Sequence, residues 1–370
     1  MSLPSDSREL MAQQSSPRRP SDTDDDDDDD EPEHSFDGDQ GKDETDGDGG
    51  DGDGDDVTSN YSSVSEDTVP PIRAYGHTYY GDGRFFFPND ASEARRLALQ
   101  HELLKLCLGG QLTAARLPAG VPLDVLDVGS GTGQWACELG EAFPRADVLG
   151  VDVTSALMPK DVPPNVTFEM ADATDAWPPR RYDLVHMRNL VGGGVRDWRA
   201  LLRTAFAHLK PGGQLEFTEL RPRFFDVAPE HADLPAGATP QIGAACVAFE
   251  RAFEDACARV GLDMDPAPHV PGWLAEVGAQ GIRERGDWVP VKSWGHDPLS
   301  RRKGAILSEM IECGLENWVL MLFGVCGWEE AATRALLERV KQETRDPLLR
   351  SYVKVTFITA RKPLEDDEGG

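Results

Sequence analysis

The chain has 370 residues and a formal net charge of −29 at pH 7. Residues 1–70 hold 24 acidic but only four basic side chains, so this segment carries 20 of the 29 net negative charges. Because the remaining chain is also net acidic and shows no basic stripe, nucleic acid is excluded as a favoured partner. The segment has few large apolar side chains whose burial could offset the entropy cost of ordering. We expect a disordered acidic tail, which either keeps the chain soluble or binds a basic protein partner.

Targeting and metal-binding signals are also missing from the sequence. The first residues contain no apolar segment typical of a secretory signal, and no run of 18 apolar residues occurs that could cross a membrane. The six cysteines are scattered without a C-x-x-C pair, which argues against a zinc site and against a disulfide framework. We therefore expect a cytoplasmic or nuclear protein without a metal and without a membrane anchor.

The predicted elements after the tail alternate between strands and helices. Residues 73–90 are rich in aromatic residues and glycine and are expected to form an ordered loop, and residues 91–109 are predicted to form a helix with a leucine-rich side. The next predicted strands are 123–129, 147–153, 166–172, 182–189 and 214–220, with predicted helices at 134–143 and 197–209. This alternation predicts an α/β fold with a doubly wound, mostly parallel sheet.

The pattern changes after residue 221. Helices are predicted at 243–260 and 271–280, and two or three more at 299–343 with a break near Gly327; strands are predicted at 283–294 and 352–362. Late strands of this kind fit an antiparallel addition to a parallel sheet. The expected organisation is a tail (1–70), a single domain (71–363) and a short disordered end (364–370). Within the domain we expect an arm with a helix (71–110), a core (121–220) and a cap (221–363).

The most informative motif is the segment from Asp127 to Gly133, which connects a predicted strand to a predicted helix. Its glycines allow the backbone to approach a ligand closely, and the start of the helix offers free amide groups. Asp152 ends the next strand, 19 positions after Gly133, a spacing suited to binding ribose hydroxyls. The stretch Gly131 to Ala136 also fits the dinucleotide fingerprint, so an NAD-dependent dehydrogenase is the alternative.

Three further features favour a different cofactor. Asp127 lies two residues before the first glycine, where a carboxylate attracts an ammonium group but repels a pyrophosphate. Asp172 ends the third predicted strand, at a position suited to an adenine amino group, and residues 210–213 form a Lys-Pro-Gly-Gly turn into the fifth strand. As a set, these blocks resemble the class I S-adenosylmethionine-dependent methyltransferases over residues 97–220.

A closer resemblance covers residues 73–363. The matching segments are 75–80, 87–90, 100–101, 183–189, 197–198 and 318–328. They look like the fungal TAM-domain methyltransferases, relatives of trans-aconitate methyltransferase that include velvet-associated regulators of secondary metabolism. The chain departs from the family pattern at His77, where arginine is usual, and at Tyr80, where histidine is common.

This resemblance implies a seven-stranded sheet with an antiparallel last strand, extra C-terminal helices, and S-adenosyl-L-methionine as the cofactor. The expected cofactor-binding residues are Tyr79, Asp127, Gly129, Ser130, Gly131, Gly133, Asp152, Val153, Asp172, Ala173 and Arg188. The resemblance does not fix the methyl acceptor. We expect a small molecule of fungal secondary metabolism or a carboxylate; the alternative is a nuclear regulator that acts on protein or through complexes.

Methyl transfer requires mainly positioning and desolvation, and a base only when the acceptor starts protonated. His186 and Arg188 lie near the carboxyl end of the fourth predicted strand. His186 is a candidate base, and Arg188 is a candidate for holding a carboxylate substrate. The alternative interpretations are a packed strand residue and a structural ion pair. Tyr75, Tyr79 and Tyr80 either fold over the cofactor as a lid or simply pack in the arm.

Overall fold

The computed structural model describes residues 70–81, 83–175, 177, 179–226, 242–295 and 297–364. The predictions for the acidic tail and for the C-terminal end therefore fall outside the described residues, apart from Pro70 and Leu364. None of the helices in the described part of the chain combines the length and the apolar character needed to cross a membrane.

The arm contains a small hairpin that the sequence did not reveal. Strands β1 (Ile72–Ala74) and β2 (His77–Tyr79) pair in antiparallel register. The two connecting residues, Tyr75 and Gly76, have φ of 56° and 82°, the left-handed conformation that tight hairpin turns require. The residues after the hairpin return beside β2, because Tyr79 and Pro88 form an isolated bridge. What we expected as an ordered loop is thus a hairpin that leads into the first helix.

Asp90 connects the hairpin to helix α1 (Ala91–Cys107). Its Oδ1 accepts hydrogen bonds from the backbone amides of Ser92 and Glu93, so it caps the helix. Its Oδ2 lies 2.8 Å from His77 Nδ1 and accepts from the Thr78 amide. A single carboxylate therefore fixes the arm to the start of the helix.

The main sheet has seven strands. They are β3 (Leu123–Val128), β4 (Ala146–Asp152), β5 (Val166–Met170), β6 (Tyr182–Arg188), β7 (Leu209–Leu220), β8 (Gln280–Pro290) and β9 (Tyr352–Arg361). Their order is β5-β4-β3-β6-β7-β9-β8, and β9 is antiparallel to both of its neighbours while the other pairs are parallel. The predicted doubly wound sheet with a reversed last strand is confirmed.

Three strands differ from the prediction by more than one residue at an end. Residues 210–213 do not form a turn before the fifth core strand: they lie within β7, where the pairing with β6 is irregular. Proline and glycine are tolerated there because a bulge leaves backbone groups out of the ladder. Strand β5 ends at Met170, so Asp172 lies in the loop beyond it. Strand β8 begins and ends earlier than expected, at Gln280 and Pro290.

Helices cover both faces of the sheet, and further helices belong to the cap (residues 221–363). After α1 they are α2 (Gln134–Ala142), α3 (Trp198–Ala207), α4 (Ala244–Val260), α5 (Val270–Glu276), α6 (Pro298–Val325) and α7 (Glu330–Arg345). The apolar side of α2 packs with β3, β4 and β5. Helices α3 and α5 share a second cluster with β3, β4, β6, β7 and β9. A third cluster joins α1 to α4, α6 and α7. Because helices cover both faces of the sheet, β3 and β6 are almost continuously buried.

Candidate functional site

The loop between β3 and α2 contains three glycines in the left-handed conformation. Gly129, Gly131 and Gly133 have φ of 70°, 55° and 68°. A Cβ at Gly133 would lie 2.5 Å from Phe168 Cζ, and one at Gly129 would lie 2.4 Å from Leu190 Cδ2. Side chains at these positions would be strained and would collide with neighbours. The loop therefore presents backbone rather than side chains, as the motif predicted.

Asp152, at the end of β4, fixes this loop from the side. Its Oδ2 accepts a 2.8 Å hydrogen bond from the Gly131 amide, and its Oδ1 accepts a longer one from the Thr154 amide. Burial raises the pKa of Asp152 to about 6, although these backbone donors oppose the shift. The carboxylate is only half-buried, so it also faces the adjoining cavity.

That cavity has a volume of about 1200 Å³, including its open mouth. It lies at the carboxyl ends of the parallel strands, where ligands bind in doubly wound folds. Eight of the residues predicted to bind the cofactor line it: Gly129, Ser130, Gly131, Asp152, Val153, Asp172, Ala173 and Arg188. Three others, Tyr79, Asp127 and Gly133, are not among its lining residues. The structure thus brings most of the predicted set together around one space.

Asp127 contacts His186 instead of the cavity. Asp127 Oδ1 lies 2.8 Å from His186 Nδ1, and both side chains are almost fully buried. The His186 ring stacks on Trp135 with a centroid distance of 3.6 Å and nearly parallel planes. Trp135 Nε1 in turn donates to the Leu112 carbonyl at 2.7 Å. His186 is therefore a packed strand residue beneath the loop, and its ring is not positioned to take a proton from a ligand in the cavity.

Asp172 is held in the loop after β5. Its Oδ1 accepts hydrogen bonds from the amide and the hydroxyl of Thr174, at 2.8 and 2.7 Å. Its Oδ2 lies 3.1 Å from Arg84 Nη2 of the arm. These contacts orient the carboxylate at the edge of the cavity and link the arm to the end of the sheet.

Arg188 lies at the end of β6 and lines the same cavity. Its Nη1 is 3.2 Å from His101 Nδ1, and His101 Nε2 is 3.1 Å from Glu138 Oε1. Burial and the nearby Arg188 charge lower the pKa of His101 to about 4. His101 is therefore neutral near pH 7, and its Nδ1 accepts the hydrogen bond from Arg188.

Helix α1 forms the opposite side of the cavity with charged residues that the sequence-based prediction missed. Glu93 and Arg96 pair through two hydrogen bonds of 2.6 and 2.8 Å, and both are nearly inaccessible to solvent. Asn317 of α6 donates to the same Glu93 carboxylate at 2.8 Å, and Gln100 accepts from Arg96. The three-residue spacing of Glu93 and Arg96 on the face that continues into Leu104 was the available signal.

The arm closes the remaining side. Its lining residues are Tyr80, Phe85, Phe87, Pro88 and Asn89. Of the three tyrosines considered as lid residues, Tyr80 alone lines the cavity, whereas Tyr79 is fully buried and the Tyr75 carbonyl accepts a hydrogen bond from Arg334. The predicted role of the arm as a cover therefore involves mainly the residues after the hairpin. No group of three metal-ligating side chains occurs among the described residues.

Comparisons with known proteins agree on one family. A family model described as a methyltransferase domain matches residues 94–267. Methyltransferase pytC of Aspergillus terreus is 31% identical over 313 residues, which cover 83% of this chain and 93% of that protein. Secondary metabolism regulator LAE1 of Cochliobolus heterostrophus is 29% identical over 312 residues, covering 79% and 97%. Protein-methionine methyltransferase laeA of Emericella nidulans is 28% identical over 306 residues, covering 78% and 76%.

Solved structures with a related sheet include phosphoethanolamine N-methyltransferase 2 of Haemonchus contortus. It is 17% identical to this chain at a TM-score of 0.40, with 73% of this chain and 52% of that chain covered. A putative methyltransferase of Bacillus halodurans is 16% identical at a TM-score of 0.40, with 71% and 99% covered.

Proposed function

The chain belongs to the methyltransferase family, and from this premise we propose that it is an S-adenosylmethionine-dependent methyltransferase. The observation that carries the proposal is the cavity itself, where the glycine loop, Asp152, Asp172 and Arg188 meet at the carboxyl ends of the strands. The family match, rather than the site itself, disfavours the dehydrogenase alternative, because Asp127 contacts His186 and Asp152 suits the ribose of either cofactor.

The chemistry of the cavity fits the proposed cofactor. Asp152 and Asp172 offer acceptors for ribose hydroxyls and an adenine amino group, and Arg188 offers donors for a carboxylate. Among the lining residues, Asn89 Oδ1, Ser130 Oγ and Asn189 Nδ2 are buried and have no hydrogen-bond partner within the described part of the chain. Buried polar groups are normally paired, so these atoms support a polar ligand in this space.

The proposed division of roles follows from these positions. The lining residues that would contact the cofactor are Gly129, Ser130, Gly131, Asp152, Val153, Asp172, Ala173 and Arg188. The other three predicted residues would have structural roles: Asp127 contacts β6, Gly133 precedes α2, and Tyr79 is buried in the arm. The cofactor supplies an activated methyl group with its own leaving group, and the chain positions it and excludes water.

The proposed acceptor is a small molecule, in particular a carboxylate. Of the carboxylates on the walls, Glu93 pairs with Arg96, and Asp152 and Asp172 are assigned to the cofactor, so none is left as a base for the acceptor. A carboxylate is deprotonated near pH 7, so transfer to it requires positioning rather than a base. The aromatic side chains Phe85 and Phe87 give the cavity an apolar side for the rest of such a molecule. The relative pytC, matched over 93% of its length, supports an enzyme role.

A second candidate is a regulator of secondary metabolism that acts on protein. The names of the relatives LAE1 and laeA support it, and one laeA is described as a protein-methionine methyltransferase. A thioether acceptor, like a carboxylate, needs no base. Incubation with radiolabelled cofactor and a cell extract, separated into metabolites and protein, distinguishes the two candidates. We expect label in the metabolite fraction; label confined to protein would replace the first candidate by the second.

Calorimetric titration with S-adenosylhomocysteine tests the cofactor assignment. We expect saturable binding that weakens at least about 10-fold in Asp152→Ala, because a charged hydrogen-bond acceptor is lost. Asp161→Ala is the matched control, since Asp161 is exposed and does not line the cavity. Binding of NAD without any response to S-adenosylhomocysteine would contradict the proposal.

A further inference from the structure

Two side-chain amides that line the cavity, those of Gln100 and Asn189, have their oxygen atoms bound within the protein. Asn189 Oδ1 accepts a 2.8 Å hydrogen bond from the Leu220 amide. Gln100 Oε1 accepts a hydrogen bond of 3.3 Å from Arg96 Nη1. Within the described part of the chain, neither Asn189 Nδ2 nor Gln100 Nε2 donates a hydrogen bond. Each of these nitrogens therefore offers two N–H donors to a ligand.

The backbone of Asn189 fixes the direction of its side chain. Its φ is 54°, in the left-handed region, which asparagine tolerates better than most residues that have a side chain. The Asn189 main-chain amide donates to the Thr218 carbonyl at 2.8 Å, and its side-chain oxygen accepts from Leu220, so both groups bind β7. The oxygen is the atom turned to β7, and the nitrogen is the atom left for the cavity.

Gln100 and Asn189 belong to facing walls that meet at their chain neighbours. His101 Nδ1 and Arg188 Nη1 lie 3.2 Å apart, which brings α1 against the end of β6. Each amide is one residue away from this contact. A ligand held between the two amides therefore lies next to Arg188, which is assigned above to the cofactor. That position brings it close to the part of the cofactor that carries the methyl group.

The nearest cation on the helix side is already neutralised. Arg96 pairs with Glu93 at 2.6 and 2.8 Å. Its guanidinium carbon also lies 5.7 Å from the centre of the Phe87 ring and 5.8 Å from that of Trp318. An anionic acceptor would therefore meet neutral amide donors on this side of the cavity. A cation would stabilise the negative charge of a carboxylate before the reaction, which does not accelerate transfer, whereas neutral donors orient it with less of this stabilisation.

We propose that Gln100 and Asn189 bind the carboxylate of the methyl acceptor, one amide to each oxygen, and so select a carboxylate acceptor. The inference rests on the proposed function. In the transfer, one carboxylate oxygen uses its electron pair to form a bond to the methyl carbon. The bond from that carbon to sulfur breaks and leaves its electron pair on sulfur. The products are a methyl ester and a neutral thioether, and no proton is released.

The product of the wild-type protein tests the acceptor class without any variant. The protein is incubated with cofactor labelled in the methyl group and the metabolite fraction of a cell extract, and the labelled metabolites are treated with alkali. A methyl ester releases its label as volatile methanol, whereas methyl groups on nitrogen, sulfur or carbon stay in place. We expect volatile label. Label that is stable to alkali would overturn the inference, while binding of S-adenosylhomocysteine would still support the proposed function.

Two isosteric substitutions test the residues themselves. Asn189→Asp and Gln100→Glu keep an oxygen for Leu220 and Arg96 but replace the free donor by a negatively charged acceptor. We expect each variant to form ester at least about 10-fold more slowly at saturating cofactor, because a hydrogen bond to a charged group is lost. The affinity for S-adenosylhomocysteine, measured by calorimetry, should stay nearly unchanged. Gln111→Glu is the matched control that should change neither quantity, since Gln111 is exposed and does not line the cavity.

The two measurements separate the possible outcomes. Unchanged ester formation in either variant would overturn the paired arrangement of the amides. Equal losses of ester formation and of S-adenosylhomocysteine affinity would also overturn it, because the amides would then bind the cofactor. Absence of label from the metabolites would remove the carboxylate acceptor and this inference, but not the cofactor assignment. If the wild-type protein does not bind S-adenosylhomocysteine, the proposed function fails as well.

Discussion

The two walls of the cavity are built in different ways. The loop wall, residues 129–133, presents backbone, and its side-chain space is filled by neighbours such as Phe168 and Leu190. The helix wall, formed by Glu93, Arg96, Leu97 and Gln100, presents side chains, two of which form a buried ion pair. One wall depends on the absence of side chains and the other on charged side chains that satisfy each other.

The loop wall depends on contacts with an adjacent strand, whereas the helix wall depends on a contact with a helix far away in the sequence. The loop wall is a contiguous segment whose hydrogen bonds go to β4, the adjacent strand: the amides of Gly129 and Ser130 donate to the Val151 carbonyl. The helix wall needs α6, because Asn317 completes the hydrogen bonding of Glu93 from 224 positions away. Damage to the loop wall should therefore affect the ligand directly, whereas damage to the helix wall should first affect the packing of α1 on α6.

The largest expected effect is on the helix wall. Glu93→Ala leaves the Arg96 guanidinium buried without its carboxylate and deprives Asn317 of an acceptor. Breaking one side of a buried pair costs about 3–5 kcal/mol, because an uncompensated charge stays out of water. We expect this loss of unfolding free energy in chemical denaturation.

An exposed ion pair between α1 and α6 provides the control. Arg95 and Glu309 lie 2.9 Å apart, but both are largely exposed, so Glu309→Ala should leave the unfolding free energy essentially unchanged. If Glu93→Ala is as mild as Glu309→Ala, the helix wall does not depend on its buried pair, and the contrast between the two walls is lost.

The second effect is on the loop wall. Gly133→Ala combines a left-handed φ with a Cβ that would lie 2.5 Å from the Phe168 ring and 2.7 Å from Pro159 Cδ. We expect a loss of about 2–4 kcal/mol from strain and overpacking together, with weaker S-adenosylhomocysteine binding. Gly278→Ala is matched in φ, at 81°, but meets no atom within 4 Å, so it reports the backbone strain alone. Equal losses in the two variants would show that the loop has room for a side chain.

The same contrast explains how much of the structure the sequence predicted. The strand–helix alternation and the loop wall are local patterns that the sequence shows directly, whereas the seven-stranded sheet with its reversed last strand was expected from the family resemblance. The hairpin at residues 72–79 was missed because each strand has only three residues, too short for a periodic signal. Residues 210–213 were taken as a turn because the sequence shows glycine and proline but not the pairing that makes them a bulge.

The side-chain partners in the site could not be read from the sequence. Asp127 was expected to face the ligand, yet it contacts His186, because β3 and β6 are neighbours only in the folded sheet. The His101–Arg188 contact also joins segments that are distant in the sequence. The spacing of Glu93 and Arg96 allows a pair, but it does not show that this side of α1 is buried. Eight of the eleven predicted cofactor residues line the cavity because they follow strand ends, a position that the sequence does define.

The smallest expected effect concerns the segment after β6, which packs against the loop wall. Leu190 lies over Gly129, and Glu219 Oε1 accepts hydrogen bonds from the Leu190 and Val191 amides, at 2.8 and 3.2 Å. Burial raises the pKa of Glu219 to about 8, with a smaller contribution from the charge of Asp265. The folded protein therefore retains this proton well above about pH 4.3, where an unfolded glutamate releases it. The contribution of Glu219 to stability is complete below that pH and is lost as the pH rises toward 8.

Glu219→Gln makes this group neutral at every pH and retains a carbonyl oxygen for the two amides. We expect the variant to unfold at the same temperature as the wild type at pH 4.5, and a few degrees higher at pH 8.5, in thermal denaturation followed by circular dichroism. Glu309→Gln, an exposed position, should show no such divergence. If the two melting temperatures of Glu219→Gln and wild type differ by a constant amount across this range, Glu219 is ionised in the folded protein. The amides of Leu190 and Val191 would then donate to a charged carboxylate rather than to a neutral carboxyl group.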